Sequence, residues 1–472
     1  MIIDGKRVKA RKTFDVINPY TNEIIEKVPI AKKEDISKAM RLSYNIKKNL
    51  KQNLRIEILK KTAEKIKKNK KRIAQIISSE SGLCLKDTLY ETGRVYHMLT
   101  VGAKFIPKIE EDTTSTYVDG INQNPKLRVI TEPLDLVLGI TPFNHPMNQV
   151  AFKVVPSIMS GTAIVLKPAD KTPLSAIKLV EILHEESLPP NFINVITTNN
   201  PSQFLEDALS LRLAQMVTFT GGVDVGKHIA RRIAATGNEL VRYVPELGGN
   251  AAFTVLEDAD IKLAAERALN AYDNSGQRCT KIKRLLVHNK IANQFIEKFL
   301  SLTEKITYGD PMNPNIDMGT VINEDAAKKI QSRVNAAIKD GAKLLYGNIR
   351  QGALYSPTLL DMVNPKSELV VKETFGPVAP IIRINSVNEA IEIINSVRYK
   401  LAGAVMTKRR DYAELIANSI KVGQFNWNHC TSYRIEQAPF GGFGDSGNGE
   451  KEGVILGAQG MRRIRTFYEH QN

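Results

Sequence analysis

The sequence predicts an α/β protein with two parallel-sheet domains, and three observations carry that reading. Short apolar runs recur about every 25 residues from position 134 onward, the length and spacing of buried strands joined by crossovers. Amphipathic stretches with apolar residues three and four apart separate them, so each strand is followed by a helix and the next strand runs parallel to it. After Glu246 the alternation starts afresh, which makes a second α/β unit. Sheets of this kind bind ligands beyond the carboxyl ends of their strands, so residues that directly follow a strand are the first candidates for function.

Taken in order, residues 15–30 read as two short strands joined by the turn Asn-Pro-Tyr-Thr-Asn-Glu at 18–23. Helical periodicity then occupies 34–48, 56–79 and 86–106, one side of a helical layer. Residues 110–125 are polar, with a Thr/Ser run and an Asp-Gly turn, and 126–131 alternates as a strand: a hairpin with little core of its own, which needs a partner to cover it. Strands follow at 134–141, 163–166, 192–197, 216–220 and 239–244. Between them lies a helix at 173–185, with Thr172 as its cap and Pro173 in its first position. Asn144, Lys167 and Gly221 each follow a strand end. In the second unit, strands at 251–256 and 284–288 alternate with helices at 261–272 and 291–306, and 463–468 forms a final strand. There are no internal repeats and no low-complexity tract.

Composition narrows the class. A chain of 472 residues with 42% hydrophobic content can bury one large core or two medium ones. No apolar run approaches a membrane span, and the first residues lack the apolar segment of a secretory signal. Three cysteines, Cys84, Cys279 and Cys430, make a disulfide framework an unlikely design and favour a reducing cytoplasm. The net charge of +16 raises nucleic-acid binding, but the lysines cluster at 46–72 with Ile and Leu at helical spacing and no aromatic residues for base stacking. That pattern is a solvated helix face; its residual consequence is faster arrival of anionic ligands. No histidine stands at metal-ligand spacing from a cysteine or carboxylate, so no metal site is expected.

The stretch Asn-Ser-Gly-Gln-Arg-Cys-Thr at 274–280 sets Cys279 beside Arg278 at a loop-to-helix junction. A cation next to a thiol lowers the cost of forming the thiolate, the reactive species. Glu246 in Glu-Leu-Gly-Gly-Asn and Asn144 in Thr-Pro-Phe-Asn-His-Pro complete a thiol, a carboxylate and an amide donor, the groups needed to make and hydrolyse a thioester. Lys167 and Asp170, in Val-Leu-Lys-Pro-Ala-Asp at 165–170, pair an ammonium donor with an acceptor suited to a ribose diol. In Phe-Thr-Gly-Gly-Val-Asp-Val-Gly at 219–226, Gly221 and Gly222 open a helix and allow a pyrophosphate close to the backbone.

With Glu-Thr-Phe-Gly-Pro-Val at 373–378 and Pro-Phe-Gly-Gly-Phe-Gly-Asp-Ser-Gly at 439–447, these motifs make the chain resemble the aldehyde dehydrogenase superfamily nearly end to end. Asn-His-Pro-Met-Asn-Gln at 144–149, Gly-Gln-Arg-Cys-Thr at 276–280 and Tyr-Arg-Ile-Glu at 433–436 are most similar to members that oxidise phosphonoacetaldehyde. The resemblance implies a Rossmann-like NAD-binding domain at 1–112 and 132–246 and a catalytic domain at 247–428. It also implies a β-hairpin oligomerisation arm with a C-terminal strand, at 113–131 and 455–472, building a homodimer or homotetramer.

It further implies that Thr141, Pro142, Phe143, Lys167, Asp170, Gly221, Gly222, Gly226 and Gly248 hold the cofactor, with Glu373 on the nicotinamide ribose and Phe375 beside the ring. Asp170 stands where many members have Glu, and an acidic residue there favours NAD, with NADP possible. In the implied chemistry Cys279 attacks the aldehyde, Asn144 and the Cys279 N–H hold the oxyanion, hydride passes to the nicotinamide, and Glu246 activates the water that hydrolyses the thioester. Positive charge from His145, Arg278 and Arg434, with Arg94 as a fourth candidate and Thr280 and Phe440 lining the pocket, points to a short anionic aldehyde. Phosphonoacetaldehyde comes first, then lactaldehyde, glyceraldehyde 3-phosphate, succinate semialdehyde or sulfoacetaldehyde. The competing class is a non-catalytic protein that retains the fold.

Overall fold

In the computed structural model, which describes residues 1–46, 50–111, 113–116 and 126–470, two seven-stranded sheets dominate. The first runs Arg242–Glu246, Met216–Thr220, Leu136–Ile140, Ala163–Lys167, Ile193–Val195, all parallel, and ends in the short antiparallel strands Ile2–Ile3 and Lys6–Arg7. Strand alternation sends side chains to opposite faces. Thus Ile164 and Leu166 join Leu59, Val95, Met98, Val155 and Ile158 from the helices Gln52–Lys68, Leu85–Ile109 and Pro146–Ser160. Val165 turns the other way, to Ile36, Met40 and Phe204. Each such buried aliphatic side chain contributes roughly 1.5–3 kcal/mol.

The second sheet runs Lys343–Tyr346, Thr358–Asp361, Val378–Ile384, Ile282–His288, Ala251–Val255, Ala402–Met406, Gln424–Trp427, with only the first strand antiparallel. Here Leu285 and Val287 pack on Phe295 and Phe299, while Leu286 packs on the opposite cluster with Ile330 and Val334. A third sheet pairs Arg462–Glu469 with Lys126–Pro133, and that strand with Thr113–Thr116, leaving Ile464, Phe467 and Tyr468 exposed. No described helix is long and apolar enough to cross a membrane.

Local readings needed correction where distant groups intervene. The single helix expected at 56–79 is two, Gln52–Lys68 and Lys70–Ser81, because Asn69 leaves helical geometry and its amide donates back to the Lys65 carbonyl at 2.8 Å. The first helix is Lys33–Tyr44; the end expected for it at Lys48 and the turn expected at 117–125 lie outside the described residues. The strand expected at 239–244 begins only at Arg242 and runs through Pro245 to Glu246, a proline tolerated because the strand is at the sheet edge. Thr172 does not cap the helix Leu174–Glu185, and Pro173 precedes it; the Thr172 hydroxyl is buried without a partner. The cap is the carboxylate of Glu80, which accepts from the N–H groups of Leu174 at 2.6 Å and Ser175 at 3.0 Å. A carboxyl group from another helix satisfies two orphan donors, so a local hydroxyl is superfluous.

Glu80 is fully buried, and burial raises its pKa to about 8 against the pull of those hydrogen bonds. The folded chain therefore holds this proton where the unfolded chain has released it. Stability is fully present below the ordinary glutamate range and declines as pH rises from there through about 8. Glu80→Gln cannot ionise, so urea denaturation at successive pH values should find the variant less stable than the parent in acid, with the deficit shrinking toward alkaline pH. A constant deficit would mean that the carboxyl does not titrate in this window.

Candidate active site

Cys279 does not open a helix. It lies between the 3-10 turn Asp273–Gly276 and the buried strand Ile282–His288, so the expected loop-to-helix junction is a loop-to-strand junction. Three successive residues before it have left-handed backbone, Asn274 (φ 59°), Ser275 (φ 51°) and Gly276 (φ 69°). At Gly276 a Cβ would come within 2.0 Å of the Gly376 carbonyl carbon, so only glycine fits. The strained turn is held from outside. The Asn274 N–H donates to the Asp87 carboxylate at 3.1 Å, and the Asn274 amide donates to the carbonyls of Asn144 at 2.8 Å and Gln277 at 3.3 Å.

Asn144 follows the strand Leu136–Ile140 and reaches the same turn: its side-chain amide donates to the Gln277 carbonyl at 2.9 Å. That bond uses one of the amide's two N–H groups and ties the group to the turn that leads into Cys279. Glu246 ends the edge strand of the first sheet with both carboxylate oxygens buried and without a hydrogen-bond partner. A Cβ on Gly441 would sit 2.4 Å from Glu246 Oε1, so the Pro-Phe-Gly-Gly loop closes over the carboxylate. Burial, then the nearby Glu452, pushes this carboxyl well above the ordinary range, while Lys153, Lys451 and Arg434 oppose the shift. A base poised in this way accepts protons nearer neutral pH than a solvated glutamate does.

The cationic side separates into committed and free groups. Arg94 is buried and donates twice to Glu436, at 2.6 and 3.2 Å, so its charge is neutralised by the carboxylate that ends the Tyr-Arg-Ile-Glu stretch. The charge read into His145 is disfavoured by its setting: burial lowers its pKa, Glu91, 3.4 Å from Nδ1, pulls it back up, and Arg278 and Arg94 lower it further. His145 Nε2 is buried without a partner and is free for a neutral hydrogen bond. Arg434 and Arg278 remain, and neither forms an ion pair among the described residues. The Arg434 guanidinium is stacked between the rings of Phe152 and Phe440, 4.6 and 4.0 Å from their centroids, with Nη1 buried and unpartnered. Burial lowers its pKa to about 10, which leaves it charged at neutral pH. Among the described residues Arg278 donates only to the Ser432 carbonyl, at 3.2 Å, and Thr280 is buried, its carbonyl accepting from Thr431 at 2.6 Å.

The strand ends of the first sheet fit a dinucleotide. Gly222 caps the helix Val223–Ala235, and no atom lies within 4 Å of where its Cβ would be. The hydroxyls of Thr141 and Thr220 are buried without partners. Lys167 is buried, and burial lowers its pKa against the pull of Asp170, whose carboxylate lies 3.7 Å from Lys171. Pro142 and Phe143 continue the turn after Thr141, and Phe143 meets Phe375 edge to face at 6.1 Å. Gly221 lies against its neighbour Phe219, whereas Gly226 serves packing: a Cβ there would meet Leu247 at 2.4 Å, so its glycine is explained without a ligand. Gly248 abuts Glu373, with 2.3 Å from its Cβ position to Oε2.

Several groups escaped the sequence reading. Glu91 caps the helix Pro146–Ser160 by accepting from the N–H groups of Met147 and Asn148, both at 2.9 Å. Lys153 pairs with Glu452 at 2.5 Å, and Thr218 donates to the same carboxylate at 2.6 Å, behind Glu246. Lys283 donates to the carbonyl of Cys279, and it outranks Arg278 among the charges that lower the thiol's pKa, which burial raises. The only sequence signal was a pair of lysines, Lys281 and Lys283, at the head of a strand whose every residue is buried. Among the described residues no cluster of His, Cys, Asp or Glu forms a metal site.

A thiol on a strained turn, an amide fixed to that turn and an unpaired buried carboxylate, beside strand ends shaped for a dinucleotide, define an α/β oxidoreductase. Residues 7–467 match the model of the aldehyde dehydrogenase family, and the chain belongs to that family. Its activity is that of an NAD(P)-dependent aldehyde dehydrogenase. It is similar to lactaldehyde dehydrogenase of Methanococcus maripaludis, with 32% identity over the full length of both chains. It is also similar to 3-sulfolactaldehyde dehydrogenase of Priestia aryabhattai, with 31% identity over 98% of this chain and 96% of the other. Among solved structures, the NADP-dependent glyceraldehyde-3-phosphate dehydrogenase of Bacillus halodurans, complexed with NADP, superposes with a TM-score of 0.94 at 32% identity. That match covers 99% of this chain and 98% of the other.

Proposed function

We propose that this enzyme oxidises a short aldehyde ending in a phosphonate, phosphate or sulfonate to its carboxylic acid through a thioester on Cys279. The observation that carries the reading is Arg434: a half-buried side chain whose guanidinium lies between two aromatic rings, with a buried N–H that no described protein group satisfies. Burying a charge without a partner is costly, so such a group calls for a bound anion. In this reading Arg434 and Arg278 hold the anionic end, His145 donates or accepts as a neutral ring, and Asn144 with the Cys279 N–H receives the oxyanion. Glu246 takes the proton from water to release the acid.

The same proposal sets the cofactor at the first sheet, with Thr141, Lys167, Asp170, Gly221 and Gly222 around it and Glu373 and Phe375 at its nicotinamide end, and the nucleophile in the second unit. A bound nicotinamide supplies the hydride acceptor that turns the aldehyde adduct into a thioester. Asp170 favours NAD over NADP, because a carboxylate repels a 2′-phosphate. The exposed apolar side chains on the strand Arg462–Glu469 support an arm that covers a second copy of the chain.

Named relatives support the anionic class in two cases, sulfolactaldehyde and glyceraldehyde 3-phosphate, and a neutral substrate in one, lactaldehyde. Steady-state comparison of phosphonoacetaldehyde, 3-sulfolactaldehyde, glyceraldehyde 3-phosphate, succinate semialdehyde, sulfoacetaldehyde, lactaldehyde and propanal, each with NAD and NADP, decides among them. We expect at least one phosphonate, phosphate or sulfonate to exceed lactaldehyde and propanal in kcat/KM by about tenfold or more, the effect of one good charge-assisted contact. A ranking led by lactaldehyde would overturn the anionic assignment and leave the thioester chemistry standing.

A further inference from the structure

Lys283 sits four residues after Cys279, 3% exposed, in the strand Ile282–His288. Its ammonium donates to the Cys279 carbonyl at 2.6 Å and the Arg278 carbonyl at 3.0 Å, and lies 2.9 Å from Glu373 Oε1. Glu373 is itself fixed, accepting from the Gly249 N–H at 3.0 Å, with no room for a side chain on Gly248 beside Oε2. The neighbouring Lys281 is fully buried and donates to the Val378 carbonyl at 3.3 Å. Around Cys279 the charged groups are therefore Lys283 and Glu373 on one linked pair, and Arg278 and Arg434 on the anion-binding side.

We propose that Lys283 is a positioning residue that holds the Cys279 backbone and favours its thiolate, and that Glu373 is the counterweight that tempers it. The inference rests on the reading of Cys279 as nucleophile. Two facts favour a tuning role over a plain structural ion pair. The ammonium bonds to the carbonyl of the reactive residue itself, and the two partners act on the thiol with opposite sign, Lys283 as the strongest charge lowering its pKa and Glu373 as the one raising it. A lysine used only to fill space would gain from being apolar, since a buried pair is seldom more stable than well-packed hydrophobic residues.

The test is the pH dependence of Cys279 alkylation by iodoacetamide in the full chain, without cofactor or aldehyde. In this step the thiolate sulfur displaces iodide and forms a carbon–sulfur bond, its proton having gone to solvent. Peptide mass spectrometry separates Cys279 from Cys84 and Cys430. In Lys283→Met the profile should move to higher pH and the rate near pH 7 should fall about tenfold, the effect of losing a close opposite charge. In Glu373→Gln it should move to lower pH with a rate about threefold higher or more, and Lys283→Arg should restore the parent profile. Coincident profiles for Lys283→Met and the parent would overturn the proposal, as would shifts of both variants in one direction, the mark of a loosened turn. If Lys283→Met does not fold, Glu373→Gln decides alone: no shift, or an upward one, overturns the proposal. Failure of the nucleophile reading is seen separately, as dehydrogenase turnover that survives Cys279→Ser.

Discussion

Glu246→Gln should release one equivalent of reduced nicotinamide per active site and then stall. In the proposed mechanism formation of the thioester uses the Cys279 thiolate, its proton having gone to solvent, and the oxyanion donors, none of which bonds to this carboxylate among the described residues; hydrolysis is the step that uses Glu246 as base. General-base assistance is worth about a hundredfold to ten-thousandfold, so steady turnover should fall by at least about a hundredfold while the burst keeps its amplitude. Stopped-flow absorbance shows the burst, and intact mass shows the protein heavier by the acyl group. The parent enzyme should show the same base as a pH effect. Because burial and Glu452 raise its pKa, the fraction ionised grows as pH rises, so hydrolysis should accelerate through a range well above that of a solvated glutamate. The glutamine variant should lose that pH limb. If it turns over steadily at the parent rate, water is activated by another group.

The contrast between what the chain discloses and what it conceals follows sequence distance. Strand and helix patterning is local: Ile164, Val165 and Leu166 alternate, and the structure sends them to two different cores. The candidate thiol was visible for the same reason, since Cys279 and Arg278 are adjacent, whereas the left-handed backbone of Asn274 to Gly276 and the strand that follows were not read from the sequence. Groups that modify those residues come from elsewhere. Glu80, 94 positions before the Leu174 N–H it accepts from, takes the capping place expected for Thr172, and Arg94 is neutralised by Glu436 across 342 positions, so a count of nearby charges overestimates the free ones. His145 illustrates the same point electrostatically: a sequence assigns it possible charge, and burial, with two arginines from elsewhere in the chain, lowers its pKa against the pull of Glu91. Lys283 is only four residues from Cys279, yet its importance depends on Glu373 meeting it from the second sheet's far connection, which no local spacing reveals.

Arg434→Met should cost the anionic substrate far more than a neutral one. Methionine keeps an unbranched apolar stem between Phe152 and Phe440, so the pocket retains its shape, and propanal should keep its kcat/KM within about threefold. Truncating one partner of a buried charge pair costs about 2 kcal/mol or more, so the best anionic aldehyde should lose roughly thirtyfold or more. Arg278→Met should act in the same direction and more weakly, because Arg278 already donates to the Ser432 carbonyl while Arg434 has a buried N–H with no partner among the described residues. Arg94→Met supplies the control: it strands the Glu436 carboxylate, so its first effect should be on thermal stability, with no selective penalty on the anion. Equal losses for propanal and the anionic aldehyde in Arg434→Met would mean that the arginine supports the tunnel wall instead of the ligand, and that the anion is held elsewhere.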